Sequence, residues 1–407
     1  MKKTHWIILV LAIGLFVGVN GLNQSAMASD SDWKWPKMLI SMDTNVAAPT
    51  YVLAISWTPL HGKEVGVKWR VLAEASSNAK VAMLKKGEAD FWWNNLQSTA
   101  EILEGNGLYA TREGGPGRFR VGHQGFVQMS GLMVLADSGI KTIKDIKPGT
   151  RYSIPIGTAV MTQYYDAFRA WFQMSEEELI KVPFGSFPAS SRALAEGRVD
   201  ITFNDPASIF AREIEAGPHG VHFLDFPESD KEGFARFQEQ IPTITFDKVR
   251  HGVKGSEGVR MMKIRFQGLT MADKDPEMIY RLVKWLDQNH DKYKHLNWNA
   301  PGMNLYVFRD MMDMTFIPLH EGVIRYMKEI GKWGPADDVR QEYNVKLVDM
   351  YTDLYAQAIK KADQEGISVG PQNEDWMALW NEFKKKSGFP RFRIMSDEQI
   401  AAALPDL

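Results

Sequence analysis

The chain of 407 residues contains no cysteine. That excludes a small fold stapled by disulfides. It also excludes a lipid-anchored bacterial lipoprotein, which needs a cysteine directly after its apolar leader. Export itself stays open, because a chain this long can be held by its core alone. Neither sign of charge is in excess: 48 basic and 50 acidic residues leave a net charge of −2, mixed along the sequence. Nucleic-acid binding needs a basic face, and none is present, so no nucleic-acid partner is expected. Beyond residue 28 no apolar run approaches the roughly 20 residues of a spanning helix. The mature chain is therefore expected not to be embedded in a membrane.

Complete catalytic and metal signatures are missing as well. His320-Glu321 begins like a zinc-protease helix, but Ile324 stands where the second histidine is required. Gly114-Gly115-Pro116-Gly117 has the glycines of a phosphate loop without its Lys-Ser/Thr ending. No Gly-x-Ser-x-Gly elbow occurs. The nine histidines are scattered, without ligand spacing. The expectation is a protein that is not an enzyme, with no cofactor and no metal.

What is present begins at the N-terminus. Lys2 and Lys3 precede an apolar run over 7–22, and Ala26-Met27-Ala28 is a small-x-small cleavage site. Residues 1–28 read as a signal peptide cut before Ser29, leading to a periplasm. The body alternates strand-like and helix-like stretches, which predicts an α/β fold. Strands are expected at 38–42, 67–73 and 91–93, with helices at 51–60 and from Ser76-Ser77-Asn78 onward. A strand over 126–135 leads to a second series, with a strand at 151–154, a helix at 161–174 and a strand at 201–203. The two series share an echo. Gly87-Glu88-Ala89-Asp90 parallels Gly197-Arg198-Val199-Asp200, each between a helix and a strand. This suggests two similar lobes. A strand over 261–269 returns to the first, and helices follow at 276–289 and 319–330. From residue 335 the pattern changes to a long helix over 339–364, with Tyr343, Leu347, Met350, Leu354 and Ala358 on one side. A helix over 375–386 and a capped tail over 396–407 complete it.

In open α/β sheets, ligands sit beyond the carboxyl ends of the strands, at helix N-termini. Five segments fall on that edge: Thr44 to Tyr51, Ser76-Ser77-Asn78, Trp93 to Gln97, Gly157 to Thr162, and Asn204-Asp205-Pro206. Each residue alone could be ordinary capping and turn chemistry. Trp92 and Trp93 point to opposite faces of a strand, so one is expected in the core.

These residues together resemble the TAXI-type solute receptors of tripartite (TRAP) transporters, over roughly residues 36–333. Pro318-Leu319-His320-Glu321-Gly322, followed by Tyr326-Met327-Lys328-Glu329-Ile330-Gly331, is similar to that family's C-terminal signature. Gly87-Glu88-Ala89-Asp90 and the stretch Ser138-Gly139-Ile140-Lys141-Thr142-Ile143-Lys144-Asp145-Ile146 are similar to further family segments. The resemblance implies a two-lobed type II periplasmic-binding-protein fold, here with a C-terminal helical extension. Lobe 1 would comprise 29–130 and 250–334, lobe 2 would be 131–249, and the extension 335–407. It implies a receptor that closes on a small, carboxylate-bearing organic solute and delivers it to TRAP-type membrane permease subunits driven by an ion gradient. By position it carries ligand contacts to Thr44, Asn45, Thr50, Tyr51, Ser77, Gly157 and Thr158. The edge-of-sheet reading adds Trp93, Asn94, Gln97, Thr162 and Asn204.

The sequence departs from the family pattern at Val46, at Ala48-Pro49, at Lys80 and at Pro155-Ile156. Two hydroxyl groups are replaced by apolar ones. That predicts a solute with a more apolar body, an aromatic or branched carboxylate, in contact with Tyr51 and Trp92 or Trp93. The competing readings are a receptor of an ABC importer, the ligand subunit of a sensor, and a periplasmic enzyme on the same fold.

Overall fold

The computed structural model describes residues 33–407, apart from 45, 47 and 156–158. The signal-peptide reading of 1–28 lies outside the described residues, as do the site readings at Asn45, Gly157 and Thr158.

The body consists of two α/β halves of the same plan. The first runs β1 (Met38–Asp43), α1 (Pro49–Val65), β2 (Lys68–Ala73), α2 (Ser77–Lys85), β3 (Phe91–Asn95) and α3 (Leu96–Leu103). Strand β1 lies between β2 and β3, parallel to both. Then β4 (Phe119–Leu135) crosses to the second half. That half runs β5 (Thr150–Pro155), α4 (Ala159–Phe172), β6 (Leu179–Phe184), α5 (Phe187–Ala195) and β7 (Thr202–Asn204). Strands β5 and β6 are parallel, and Tyr152 bridges Ile201 in parallel on the other side. It continues with α6 (Ile209–Glu215), β8 (Val221–Phe223), α7 (Lys231–Gln240) and β9 (Thr245–Lys248), and β10 (Arg260–Met271) returns to the first half.

The echo has a physical basis. Gly87 and Gly197 both adopt left-handed backbone, with φ of 69° and 68°, directly after α2 and α5. That conformation is strained for a residue with a Cβ. Three residues later an aspartate ties the loop to the first strand of its half. Asp90 accepts from the Ile40 backbone N–H and Asp200 from that of Arg151, both at 2.8 Å. Each aspartate also holds a cation at 2.7 Å, Lys274 and Arg151 respectively.

The crossing strands β4 and β10 are antiparallel over most of their length, and β4 begins earlier than the sequence suggests, at Phe119. Gly122, His123 and Gly125 disguise its first part as a loop. The glycines are there because the strands approach closely. A Cβ on Gly125 would stand 1.8 Å from the Phe266 carbonyl oxygen, and one on Gly268 would stand 2.2 Å from the His123 ring. Gln124 and Gly125 together face the single residue Gln267, a bulge in the middle of the crossing.

The remaining helices pack around this body. They are α8 (Pro276–Gln288), α9 (His290–Tyr293), α10 (Leu305–Met314), α11 (Glu321–Glu329), α12 (Pro335–Glu365), α13 (Glu374–Ser387) and α14 (Asp397–Ala403). The buried side of α12 runs through Tyr343, Leu347, Tyr351, Tyr355, Ala358 and Ala362, whereas Met350 and Leu354 are only half-buried. The stripe turns toward the tyrosines because their hydroxyls find acceptors: Tyr355 donates to the Thr111 carbonyl at 2.8 Å and Tyr351 to that of Pro390 at 3.3 Å. Helix α1 extends past the expected stop to Val65, with Pro59 inside it, and ends at Gly66 with φ of 77°. Burial of Trp57 and His61 on its inner side carries it through the proline. No helix among the described residues is long and apolar enough to cross a membrane.

Candidate functional site

Three helix N-termini of the first half, those of α1, α2 and α3, open on one hollow of about 270 Å³ beyond the ends of β1, β2 and β3. Val160 of α4 and Phe266 of β10 close it from other directions. Orphan N–H groups and dipoles at such termini favour an anionic group.

Each wall follows from local chemistry. After β1, the buried carboxylate of Asp43 accepts from the Thr50 hydroxyl at 2.6 Å and the Thr44 N–H at 2.7 Å. These bonds fold the loop back onto α1 and bring Thr44 and Thr50 to the hollow. Asp43 Oδ2 is buried with no partner. Burial pushes the Asp43 carboxyl up to about 7, against the opposing pull of Thr50, Thr44 and Lys80. After β2, Ser76 caps α2 by accepting from Ala79 N–H at 3.2 Å, which presents Ser76, Ser77 and Asn78. After β3, Asn95 caps α3 by accepting from Ser98 N–H at 2.8 Å. Asn94 donates its amide to the Thr99 hydroxyl at 3.0 Å.

Lys80 is the main charge here. It is 1% exposed, with its Nζ 3.2 Å from the Thr44 hydroxyl and 4.9 Å from the Trp92 ring centre. Both neighbours border the hollow. Burial draws the ammonium down to about 8, partly offset by Asp43 and Glu74. No carboxylate forms an ion pair with Lys80 within 4.0 Å among the described residues. Trp93 also borders the hollow, and its indole Nε1 is buried without a partner. The Trp93 ring lies 4.8 Å from that of His123 and 5.6 Å from that of Phe126. Burial lowers His123 to about 4, so this wall is neutral at ordinary pH.

The structure brings Thr44, Thr50, Ser77, Trp93 and Asn94 together around this hollow. Trp92 borders it as well, so both tryptophans of β3 do. Tyr51 faces a different hollow, between α1 and β2, with Ile55 and Trp69. Gln97 lies just below the rim, and its amide is taken up by Glu101, Gln163 and Thr243. Thr162 is exposed on α4. Asn204 is buried in the second half, bonded to Ser191, Ser208 and the Asp205 N–H. Sequence reasoning did not single out Asp43, Tyr109 or Phe266 for this place. Lys80 was visible only as a departure from the resembled pattern. A lysine inside a short helix that otherwise buries its apolar side is the signal that could have found it. No group of three or more His, Asp or Glu among the described residues could hold a metal ion.

A search of curated proteins found no match. Solved structures with similar folds include R. palustris Rpa4515 with adipate, at 14% identity and a TM-score of 0.44, covering 78% of this chain and 99% of that one. The periplasmic aliphatic sulphonate binding protein SsuA from Escherichia coli matches at 13% identity and a TM-score of 0.36, covering 88% and 98%. A structure described as a periplasmic transporter matches at 12% identity and a TM-score of 0.41, covering 84% and 100%. The NMT1-like family model matches residues 51–331, well over half of the chain. The chain, with its two α/β halves joined by crossing strands, belongs to the NMT1-like family.

Proposed function

We propose that this protein is an extracytoplasmic receptor that captures a small carboxylate-bearing solute between its lobes and delivers it to a membrane permease. The observation that carries this reading is the buried ammonium of Lys80 beside Thr44 and Trp92. Below pH 7, where Asp43 is largely protonated and Lys80 is charged, a buried cation stands directly behind Thr44 and Trp92, which border the hollow. A buried charge without an ionic partner is costly, and a ligand anion relieves that cost. Trp92, Trp93, Tyr109 and Phe266 supply apolar wall, which suits an aromatic or branched body on the carboxylate.

The lobes, 29–130 with 250–334 against 131–249, close about the bulged crossing of β4 and β10. The solute favours closure because it touches residues of both lobes, such as Thr44 and Val160, only when they meet. The resemblance to TAXI-type receptors supports a TRAP-type permease as the partner. Export to a periplasm follows the same reading, with cleavage before Ser29.

Titration calorimetry with a panel of carboxylates tests the ligand class. Aromatic and branched monocarboxylates are expected to bind more tightly than glutamate. Tight glutamate binding with none for the apolar acids overturns the apolar-body reading. Native mass spectrometry of freshly purified protein identifies any solute carried through purification.

A further inference from the structure

Helix α3 of lobe 1 begins at the rim of the hollow, directly after Asn95. Its Gln97 is 2% exposed and accepts from the Thr243 hydroxyl at 2.5 Å. Thr243 sits between Ile241 and Ile244, which are buried in the core of lobe 2. The far end of α3 leads to Glu104, whose carboxylate accepts from the Phe392 N–H at 2.9 Å. Phe392 is 1% exposed and packs on Phe316 and Tyr351, with ring centres 5.7 and 5.1 Å away. Two residues on, the Ile394 N–H donates to the Pro242 carbonyl at 3.3 Å. The chain after α13 thus passes from an anchor on lobe 1 to the segment of lobe 2 that also receives Gln97.

We infer that the C-terminal extension is a clasp: with α3 it holds Pro242 and Thr243 against lobe 1 and limits how far the lobes swing apart. Two residues of chain span at most about 7 Å, so the anchor at Phe392 leaves Ile394 little freedom to follow an opening lobe. Both contacts lie a few residues before β9, which pairs with the crossing strand β10. The extension therefore acts close to the crossing, where a small constraint sets the range of the whole swing. This role rests on the two-lobed receptor reading, but it does not depend on which solute binds.

The test is made without solute, so that it stands even if the ligand class is wrong. The chain has no cysteine, so a Glu88→Cys, Glu196→Cys pair places one spin label on an exposed loop of each lobe. Electron–electron double resonance then reads the distance between lobes. Thr243→Val removes the hydroxyl donor, and Ile394→Pro removes the N–H. The double variant is expected to shift the distance distribution to longer values or broaden it that way. Thr243→Ser, which keeps the donor, is expected to retain the parent distribution. Circular dichroism confirms folding. If the double variant does not fold, Thr243→Val alone is held to the same criterion. A folded variant whose distribution matches the parent overturns the clasp.

Discussion

The ammonium of Lys80 lies over the ring of Trp92, 4.9 Å from its centre, in a place where it is almost wholly out of water. A cation over an indole face is stabilised by the ring quadrupole. That attraction does not replace a counter-anion, which is why the pair bears on the solute. Lys80→Met keeps the length of the side chain and removes the charge. Charge-assisted hydrogen bonds contribute roughly 1.5–3 kcal/mol, so affinity for a carboxylate is expected to fall about tenfold or more. Removing an unpaired buried charge does not cost folding stability, so the melting temperature is expected to hold or rise. Calorimetry and a thermal scan on one preparation check both. A fall in melting temperature with unchanged affinity makes Lys80 a structural residue.

Binding is expected to weaken as pH rises. At pH 6, Asp43 is largely protonated and Lys80 charged, so the net charge behind Thr44 and Trp92 is positive. Above about 8, Asp43 is ionised and Lys80 is losing its proton, so the net charge there turns negative and repels an anion. Affinity for a carboxylate should therefore fall through the window from about 7 to about 8 and beyond. A flat profile from pH 6 to 9 in calorimetry contradicts this.

The same carboxyl makes a stability prediction with a defined sign. Its folded value of about 7 lies above the ordinary 3.8, so the folded state holds the proton more tightly than the unfolded chain. That contribution is complete below the ordinary value and is lost as pH rises through about 7. Asp43→Asn keeps an oxygen for Thr50 and Thr44 and does not titrate. Its stability relative to the parent is expected to rise between pH 4 and 8, on the order of 4 kcal/mol. Urea unfolding at the two pH values reads the difference, and a difference that does not change with pH removes Asp43 from the account.

How much of this was legible in the sequence varies with the range of the interaction. The repeated β-α-β-α-β plan was readable because its cues are local. Gly87 and Gly197 punctuate the helices, and Asp90 and Asp200 tie the following turns. Thr44, Thr50 and Ser77 could be named as rim residues because caps and strand ends have short-range signatures. Gln97 shows the limit. Its position on the rim is local, but its bonds to Gln163 and Thr243 come from distant chain and take its amide up. The start of β4 was hidden for the same reason. Gly122 and Gly125 read as loop until the partner strand that requires them is in place. The extension was visible as helices, yet its anchors, Trp376 and Trp380 against the loop from 104 to 111, are contacts across most of the chain.

Gly125 offers a direct test of the crossing. A methyl group there meets the Phe266 carbonyl at 1.8 Å and the Met311 side chain at 2.6 Å. The carbonyl belongs to backbone and cannot rotate aside, so Gly125→Ala must push β4 from β10. Overpacking of this kind costs typically about 1–3 kcal/mol. The midpoint of urea unfolding is expected to drop accordingly. A variant as stable as the parent shows that the bulge can absorb the methyl group.

Trp380 links the extension to the wall of the hollow. Its indole N–H is shared between the Glu104 and Gly105 carbonyls, at 3.2 and 3.1 Å, and its ring meets that of Tyr355 edge-on at 4.8 Å. Gly105 has φ of 58°, and a Cβ there would stand 3.0 Å from Tyr355 and 3.1 Å from Trp380. The loop that follows carries Leu108 and Tyr109 to the hollow, and Asn78 holds the Leu108 carbonyl at 2.7 Å. Trp380→Ala removes a fully buried side chain and is expected to cost about 3–5 kcal/mol. Trp380→Phe keeps much of the packing but leaves the two carbonyls without their donor. Its stability loss is expected to be smaller, about 1–3 kcal/mol, since the cost is that of buried polar groups left unpaired. If the loop is held in place from behind, Trp380→Phe also weakens solute binding while the fold persists. Calorimetry on the folded variant decides: unchanged affinity would mean that the extension supports the lobe without shaping its site.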